Sequence, residues 1–235
     1  MSICINNDLI WISVPRCASM SIEKSIMENP NINYQHILDV NPDFKNSKNN
    51  HVHVNVDILK IYFGKLETVC ITRNWLDRWL SSFEYIWQSI ELYNLTPKYN
   101  YADIDNNFIY KIFTDSFLQK LQILEESSDN LIELYLLFIN ENEIEFKEHN
   151  IVYTGLRTLC SQKIWTNNEK CTYEFDIKEL NNFEKFISTR YNIDFKIQDI
   201  NKSKKQSNKI IIDDQLKNFI WNKFEEPYIR KNKLI

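Results

Sequence analysis

The stretch from Leu9 to Met27, LIWISVPRCASMSIEKSIM, limits what this chain can fold into more than any other. Leu9 to Val14 is an apolar run of strand length, Pro15-Arg16 breaks it, and Ile22 and Ile26 sit one helical turn apart in the segment that follows. A chain that leaves a buried strand and enters a helix through PRCASMS aims several backbone N–H groups, the positive end of the helix dipole and one guanidinium at one point. A phosphate or sulfate suits that point. The plainer reading is a strand-turn-helix connection in which Ser19 or Ser21 caps the helix, and the stretch by itself leaves both open. A nucleoside-triphosphatase loop is excluded, because GxxxxGK followed by serine or threonine needs glycines and a lysine at fixed places. The whole chain has only Gly64 and Gly155.

With 235 residues, 43% hydrophobic and 14% aromatic, the chain can bury one good core, and a single domain over residues 1–235 is expected. The net charge is -4, and basic residues are dispersed except between Asn201 and Lys209, which argues against a long nucleic-acid footprint. Any bound anion should be small and locally held. The first residues lack a charged segment followed by a long apolar run, and the most apolar later stretch, Leu131 to Ile139, is interrupted by Glu133 and too short to span a bilayer. No membrane segment is expected.

Five cysteines, at positions 4, 17, 70, 160 and 171, form no CxxC pair and no zinc spacing with histidine. Cys4 and Cys70 lie in strand-like runs and read as core residues. Cys17 lies in an electropositive loop that should lower its pKa, but with no paired base it reads as a small filler rather than a nucleophile. Cys160 and Cys171 could bridge in an oxidising compartment, but three leftover thiols favour a cytoplasmic or otherwise reducing one.

Ahead of Leu9, Ile3 to Ile5 reads as a short strand or lead-in turned by Asn6-Asn7-Asp8. Residues 29–50 are polar and asparagine-rich and read as a long loop. His51 and His53 then alternate with valine, so both imidazoles project to one side. With no third ligand nearby, a metal site is not expected. Asp57 to Phe63 reads as a helix stopped by Gly64, and Glu67 to Thr72 as a second strand ending on Arg73-Asn74. Asn74 is placed to cap an amphipathic helix carrying Trp75, Leu76, Trp79, Leu80, Phe83, Ile86, Trp87 and Ile90. An arginine at a strand end and a serine two turns into the next helix supply a fork of donors and a hydroxyl for a dianion.

The second half is mainly helical by pattern. Residues 154–172 read as irregular, with Arg157, Gln162, Lys163 and Trp165 available; a surface loop is one reading and an acceptor-facing wall the other. A helix is expected from Asp176 to Tyr191, then the basic stretch INKSKKQSNK, then a last helix from Asp213 to about Phe224.

Three of these segments resemble the sulfotransferases that use 3'-phosphoadenosine 5'-phosphosulfate (PAPS), most of all the glycan 2-O type acting on heparan and chondroitin. Pro15, Arg16, Cys17, Ala18, Ser19, Met20 and Ser21 are similar to the 5'-phosphosulfate loop, departing at Arg16, where the family usually has lysine, and at Met20, often threonine. Arg73, Asn74, Asp77, Arg78 and Ser81 resemble the 3'-phosphate motif R-D/N-P-x-x-R-x-x-S, with Trp75 replacing a proline that only preorganises the helix start. Between them, His53 matches the histidine that serves as general base. The C-terminal layout resembles the basic loop that folds over the cofactor, which makes Ser203, Lys204 and Lys205 candidates for the 3'-phosphate or adenine side.

The resemblance implies an α/β fold with a central parallel sheet flanked by helices, of the P-loop-containing, sulfotransferase type, with anion sites at the carboxyl ends of the strands. It implies transfer of a sulfuryl group from PAPS to a hydroxyl, expected to be on a carbohydrate, leaving 3'-phosphoadenosine 5'-phosphate and requiring no metal. Arg16 and the loop amides would stabilise the leaving phosphate, Cys17, Ala18, Ser19, Met20, Ser21, Arg73 and Ser81 would hold the cofactor, and His53 would take the proton. Arg78 is expected in a surface ion pair with Asp77 or Glu84, and Glu23 and Glu84 stand next in line as bases. The alternatives are a kinase-like phosphotransferase and a non-catalytic nucleotide or sulfated-ligand binder.

Overall fold

A computed structural model describes residues 2–40, 56–92, 106, 158–159, 161–166, 171–198 and 211–226. They divide into two compact units, one formed by Met1–Arg78 with Ser161–Lys204 and the other by Trp79–Cys160 with Lys205–Ile235.

The first unit is built on a five-stranded sheet in the order β3-β1-β2-β4-β5. Its strands are β1 (Ile3–Ile5), β2 (Leu9–Ile12), β3 (Tyr34–His36), β4 (Glu67–Thr72) and β5 (Tyr173–Asp176). Every residue of β2 is buried and β4 is buried from Thr68 onward, as befits central strands, β2 being wholly apolar and β4 apolar from Val69 to Ile71. β2, β4 and β5 pair in parallel, in register at Trp11, Val69 and Tyr173. β1, however, runs antiparallel to both β2 and β3, so the sheet is mixed and not the wholly parallel one expected. The cause is local: left-handed Asn6 and Asn7 (φ 50 and 55°) make the tight turn that folds β1 back on β2 as a hairpin. Because β3 is antiparallel to β1 as well, four of the five strands still point the same way.

Helices flank this sheet: α1 (Ser19–Met27), α2 (Ile37–Val40), α3 (Val56–Phe63), α4 (Trp75–Leu92, whose first turn belongs to this unit), α5 (Lys163–Thr166) and α6 (Leu180–Tyr191). Phe183 of α6 packs on Trp11 and Phe175 with ring centroids 5.5 and 5.7 Å apart, and Phe186 lies 4.7 Å from Tyr173. At the amino ends of the strands, Arg190 bridges Asp8 at 2.7 Å and Glu67 at 2.6 Å. The expected loop over residues 29–50 contains β3 and α2, short elements that polar residues disguise. β5 falls between the stretch read as irregular, which ends at residue 172, and the helix expected from Asp176, where the sequence predicts no strand. Gly64, at φ 83°, ends α3 as its sequence predicts.

In the second unit Trp79 stacks on Phe83 at 5.4 Å and meets Phe224 at 5.6 Å, and the Ser82 hydroxyl donates to the Thr158 carbonyl at 2.9 Å. Asp213 caps α7 (Asp214–Ile220) by accepting from the Leu216 amide at 2.8 Å, and a π-helical turn, Trp221–Glu225, continues it. Among the described residues no helix is long and apolar enough to cross a membrane.

Candidate anion site at the ends of two parallel strands

After β2 the chain leaves toward β3 on one side of the sheet, and after β4 it leaves toward β5 on the other. The carboxyl ends of β2 and β4, hydrogen-bonded neighbours, therefore flank the point where the connections diverge. In open α/β sheets such a point opens a crevice for ligands. The Pro15–Ser21 loop follows β2 and Arg73 follows β4, so the two motifs meet at this crevice.

The loop is wound by two non-glycine residues in the left-handed region, Arg16 at φ 63° and Ala18 at φ 57°. Each such residue costs roughly 1–2 kcal/mol in an L-amino acid, and turns of this kind form concave arrays of backbone N–H groups that hold anions. Ala18 is the N-cap of α1, and no side chain caps that end. Neither Ser19 nor Ser21 does so, contrary to the simpler sequence reading: they fall inside the first turn. That turn also carries no acidic residue to neutralise the positive end of the dipole. Met20 is 63% exposed while the Cys17 and Ser19 side chains are buried, which leaves Cys17 its backbone to offer a ligand. Arg16, Ala18 and Ser21 are partly exposed.

The sequence places Cys17 in a positive environment, and the structure agrees, yet the consequence is reversed. Burial pushes the Cys17 thiol up to about 12, against the downward pull of Arg78, Arg73 and Arg16, with Asp176 adding to the rise. Desolvation outweighs three cations, so Cys17 is a neutral filler at physiological pH. The same balance shows that three guanidinium groups converge on the loop. Arg78 is one of them: it is fully buried in the first turns of α4 and is not the surface ion-pair residue expected. The partly exposed Arg16 and Arg73 beside a helix start suit a small anion, with the buried Arg78 adding its charge from within.

Gln162, just ahead of α5, ties the two loops together. Its side-chain amide accepts from the Arg73 N–H at 3.1 Å and donates to the Arg73 carbonyl at 2.9 Å, completing both backbone groups of the residue that ends β4. The same Oε1 lies 3.9 Å from the Cys17 sulfur, within reach of its thiol proton. Sequence reasoning noted Gln162 only as available; 89 positions separate it from Arg73, and no local pattern links them.

Beside the loop, Glu23 on α1 and His36 at the end of β3 form a buried pair at 3.5 Å. Burial acts to raise the Glu23 pKa, but its partners, His36 first among them, hold the carboxyl below its usual range. Glu23, named by sequence as a reserve base, is therefore already engaged and a weak proton acceptor. Arg73 is partly exposed; Ser81 is half-buried on α4 in the second unit. Asn74 caps α4 as expected, accepting from the Leu76 and Asp77 amides at 3.1 and 3.3 Å. His51, His53, Arg157, Ser203, Lys204 and Lys205 lie outside the described residues. Compared with protein-family models, with curated proteins and with solved structures, the chain matches none.

Proposed function

We propose that this chain is a sulfotransferase that moves a sulfuryl group from PAPS to a hydroxyl of a carbohydrate acceptor. One observation carries the reading: the two segments that resemble the 5'-phosphosulfate loop and the 3'-phosphate motif leave neighbouring parallel strands at the divergence point of the sheet, joined through Gln162.

Bound there, PAPS supplies an activated sulfuryl group on a leaving phosphate. Arg16 and the backbone of Cys17, Ala18, Ser19, Met20 and Ser21 serve the 5' end, where negative charge builds up as the S–O bond breaks and fixed donors help most. Arg73 holds the 3'-phosphate; by the motif resemblance alone, Ser81 is assigned to that phosphate, and Ser203 and Lys204 to the same end or to the adenine. His53 takes the acceptor hydroxyl proton as its oxygen attacks, imidazole being the side chain suited to base catalysis near neutral pH, a contribution on the order of 100-fold or more. Trp165 is buried, so it is not the exposed platform for a sugar that its sequence position allowed.

The test is calorimetric titration with 3'-phosphoadenosine 5'-phosphate, with ATP and AMP as controls. Micromolar binding that requires the 3'-phosphate should weaken roughly 10- to 100-fold in Arg73→Ala, the worth of one charged hydrogen bond. Absence of binding, or preference for ATP with magnesium, refutes the proposal.

A further inference from the structure

Cys70 and Cys171 bring their sulfurs within 3.2 Å of each other, although 101 positions separate them. Cys160, which the sequence offers to Cys171 only in an oxidising compartment, lies outside the described residues. The approach to Cys70 is imposed by the backbone. Residue 172 is locked to residue 68 by reciprocal bonds, Thr172 N–H to the Thr68 hydroxyl at 2.9 Å and Thr68 N–H to the Thr172 hydroxyl at 3.0 Å, and beyond them β4 and β5 pair in parallel. The two thiols differ in access: Cys70 is fully buried in β4, while Cys171 is partly exposed just ahead of β5.

We propose that Cys70 and Cys171 form a redox-active dithiol site that undergoes thiol-disulfide exchange with a small disulfide such as glutathione disulfide, cross-linking β4 to the entry of β5. The access difference assigns the roles. The Cys171 thiolate attacks one sulfur of glutathione disulfide, forming a mixed disulfide and releasing one glutathione thiolate. Cys70 then gives up its proton and attacks the Cys171 sulfur, releasing the second glutathione. Two protein thiols are oxidised to one disulfide and one glutathione disulfide is reduced to two thiols. The hydrogen bond between the pair holds the Cys171 thiol below its ordinary value, with Lys60 helping and Glu174 opposing, and holds Cys70 above it. That favours Cys171 as the attacking group and Cys70 as the resolving one. Cys4 and Cys17 are buried with their thiols pushed up, so neither competes. Closing the sulfur gap to bonding distance takes a movement of about 1 Å.

The site is independent of the proposed activity and is tested without it. The full chain is equilibrated in glutathione buffers of graded ratio, quenched in acid, alkylated, and read by intact mass and peptide mapping. Expected are paired loss of two thiols, a linked peptide containing Cys70 and Cys171, and the same result in Cys160→Ser. Cys70→Ser should instead stop at the glutathione adduct on Cys171. Independent loss of single thiols, a persistent adduct on the unmodified chain, or a link from Cys171 to Cys160 would overturn the proposal. Should Cys70→Ser fail to fold, the unmodified chain and Cys160→Ser still decide it.

Discussion

Replacing Gln162 by leucine tests whether one side chain holds the two loops in place. The volume stays close to that of glutamine, so the change removes hydrogen bonds with little loss of packing. Two bonds to the Arg73 backbone disappear, at 3.1 and 2.9 Å, together with the weaker thiol contact at 3.9 Å. Each backbone bond is worth about 0.5–1.5 kcal/mol net, and an N–H or carbonyl left without a partner costs about 1–3 kcal/mol. Gln162 is partly exposed, so water can reach one of the two stranded groups, and the expected destabilisation is about 2–3 kcal/mol. For a chain of this length that lowers the melting temperature by roughly 5–10 °C. Gln162→Glu separates geometry from polarity: it still accepts from the Arg73 N–H, loses the donor to the Arg73 carbonyl, and adds a negative charge among Arg16, Arg73 and Arg78. Its affinity for 3'-phosphoadenosine 5'-phosphate should fall further than that of the leucine variant even where its stability falls less. Thermal unfolding and calorimetric titration of both variants are the assays. If both melt within 1 °C or so of the unmodified chain and bind equally, Gln162 does not set the position of Arg73.

Ala18→Gly should be neutral or slightly stabilising in denaturant unfolding: relief of the left-handed strain, roughly 1–2 kcal/mol, exceeds or cancels the 0.4–1 kcal/mol gained by the unfolded chain. Ala18→Val should cost more than a surface change, and the reverse order refutes the strain. Because the Glu23 pKa is depressed in the folded state, its stabilisation is present above the unfolded carboxyl pKa and is lost as pH falls through the folded value. Glu23→Gln should therefore flatten the acid side of the melting-temperature profile, and an unchanged acid slope counts against the His36 pairing. Cys17 should resist iodoacetamide in the native state at pH near 8 and react only after unfolding, since its thiol stands at about 12; native labelling there would contradict its burial.

What the sequence discloses here is what short-range pattern can carry. Leu9–Ile12 is apolar throughout and Glu67–Thr72 is apolar at its centre, Val69 to Ile71, so their burial and their boundaries follow from composition and from the turn residues beside them. Asn74 and Asp213 cap helices because Asn and Asp offer an acceptor two or three residues ahead of the amides they serve. β3 and β5 escape notice because YQH and YEFD are short and half-polar; they exist because β1 and β4 offer them edges. Arg78 escapes for a related reason. Helical periodicity selects Trp75, Leu76, Trp79, Leu80 and Phe83 as the inward stripe, yet the buried face is Arg78, Trp79, Ser82 and Phe83. A charged residue enters the interior only where distant groups receive it, and periodicity within one helix contains no information about them.

The reversal at Cys17 bears on what the loop can do. A thiol beside three guanidiniums would be a nucleophile if it were hydrated, and the loop would then be a place for covalent chemistry. Its burial removes that role, and the same residue becomes the packing floor on which the left-handed Arg16 and Ala18 wind the backbone. Arg16 and Arg73, both partly exposed, and the start of α1 are then what the loop can present to a ligand. An anion at the β2–β4 crevice relieves the mutual repulsion of Arg16, Arg73 and Arg78, whereas a neutral ligand does not. The left-handed turn and the nearby positive charge are thus both accounted for by the anion site proposed above.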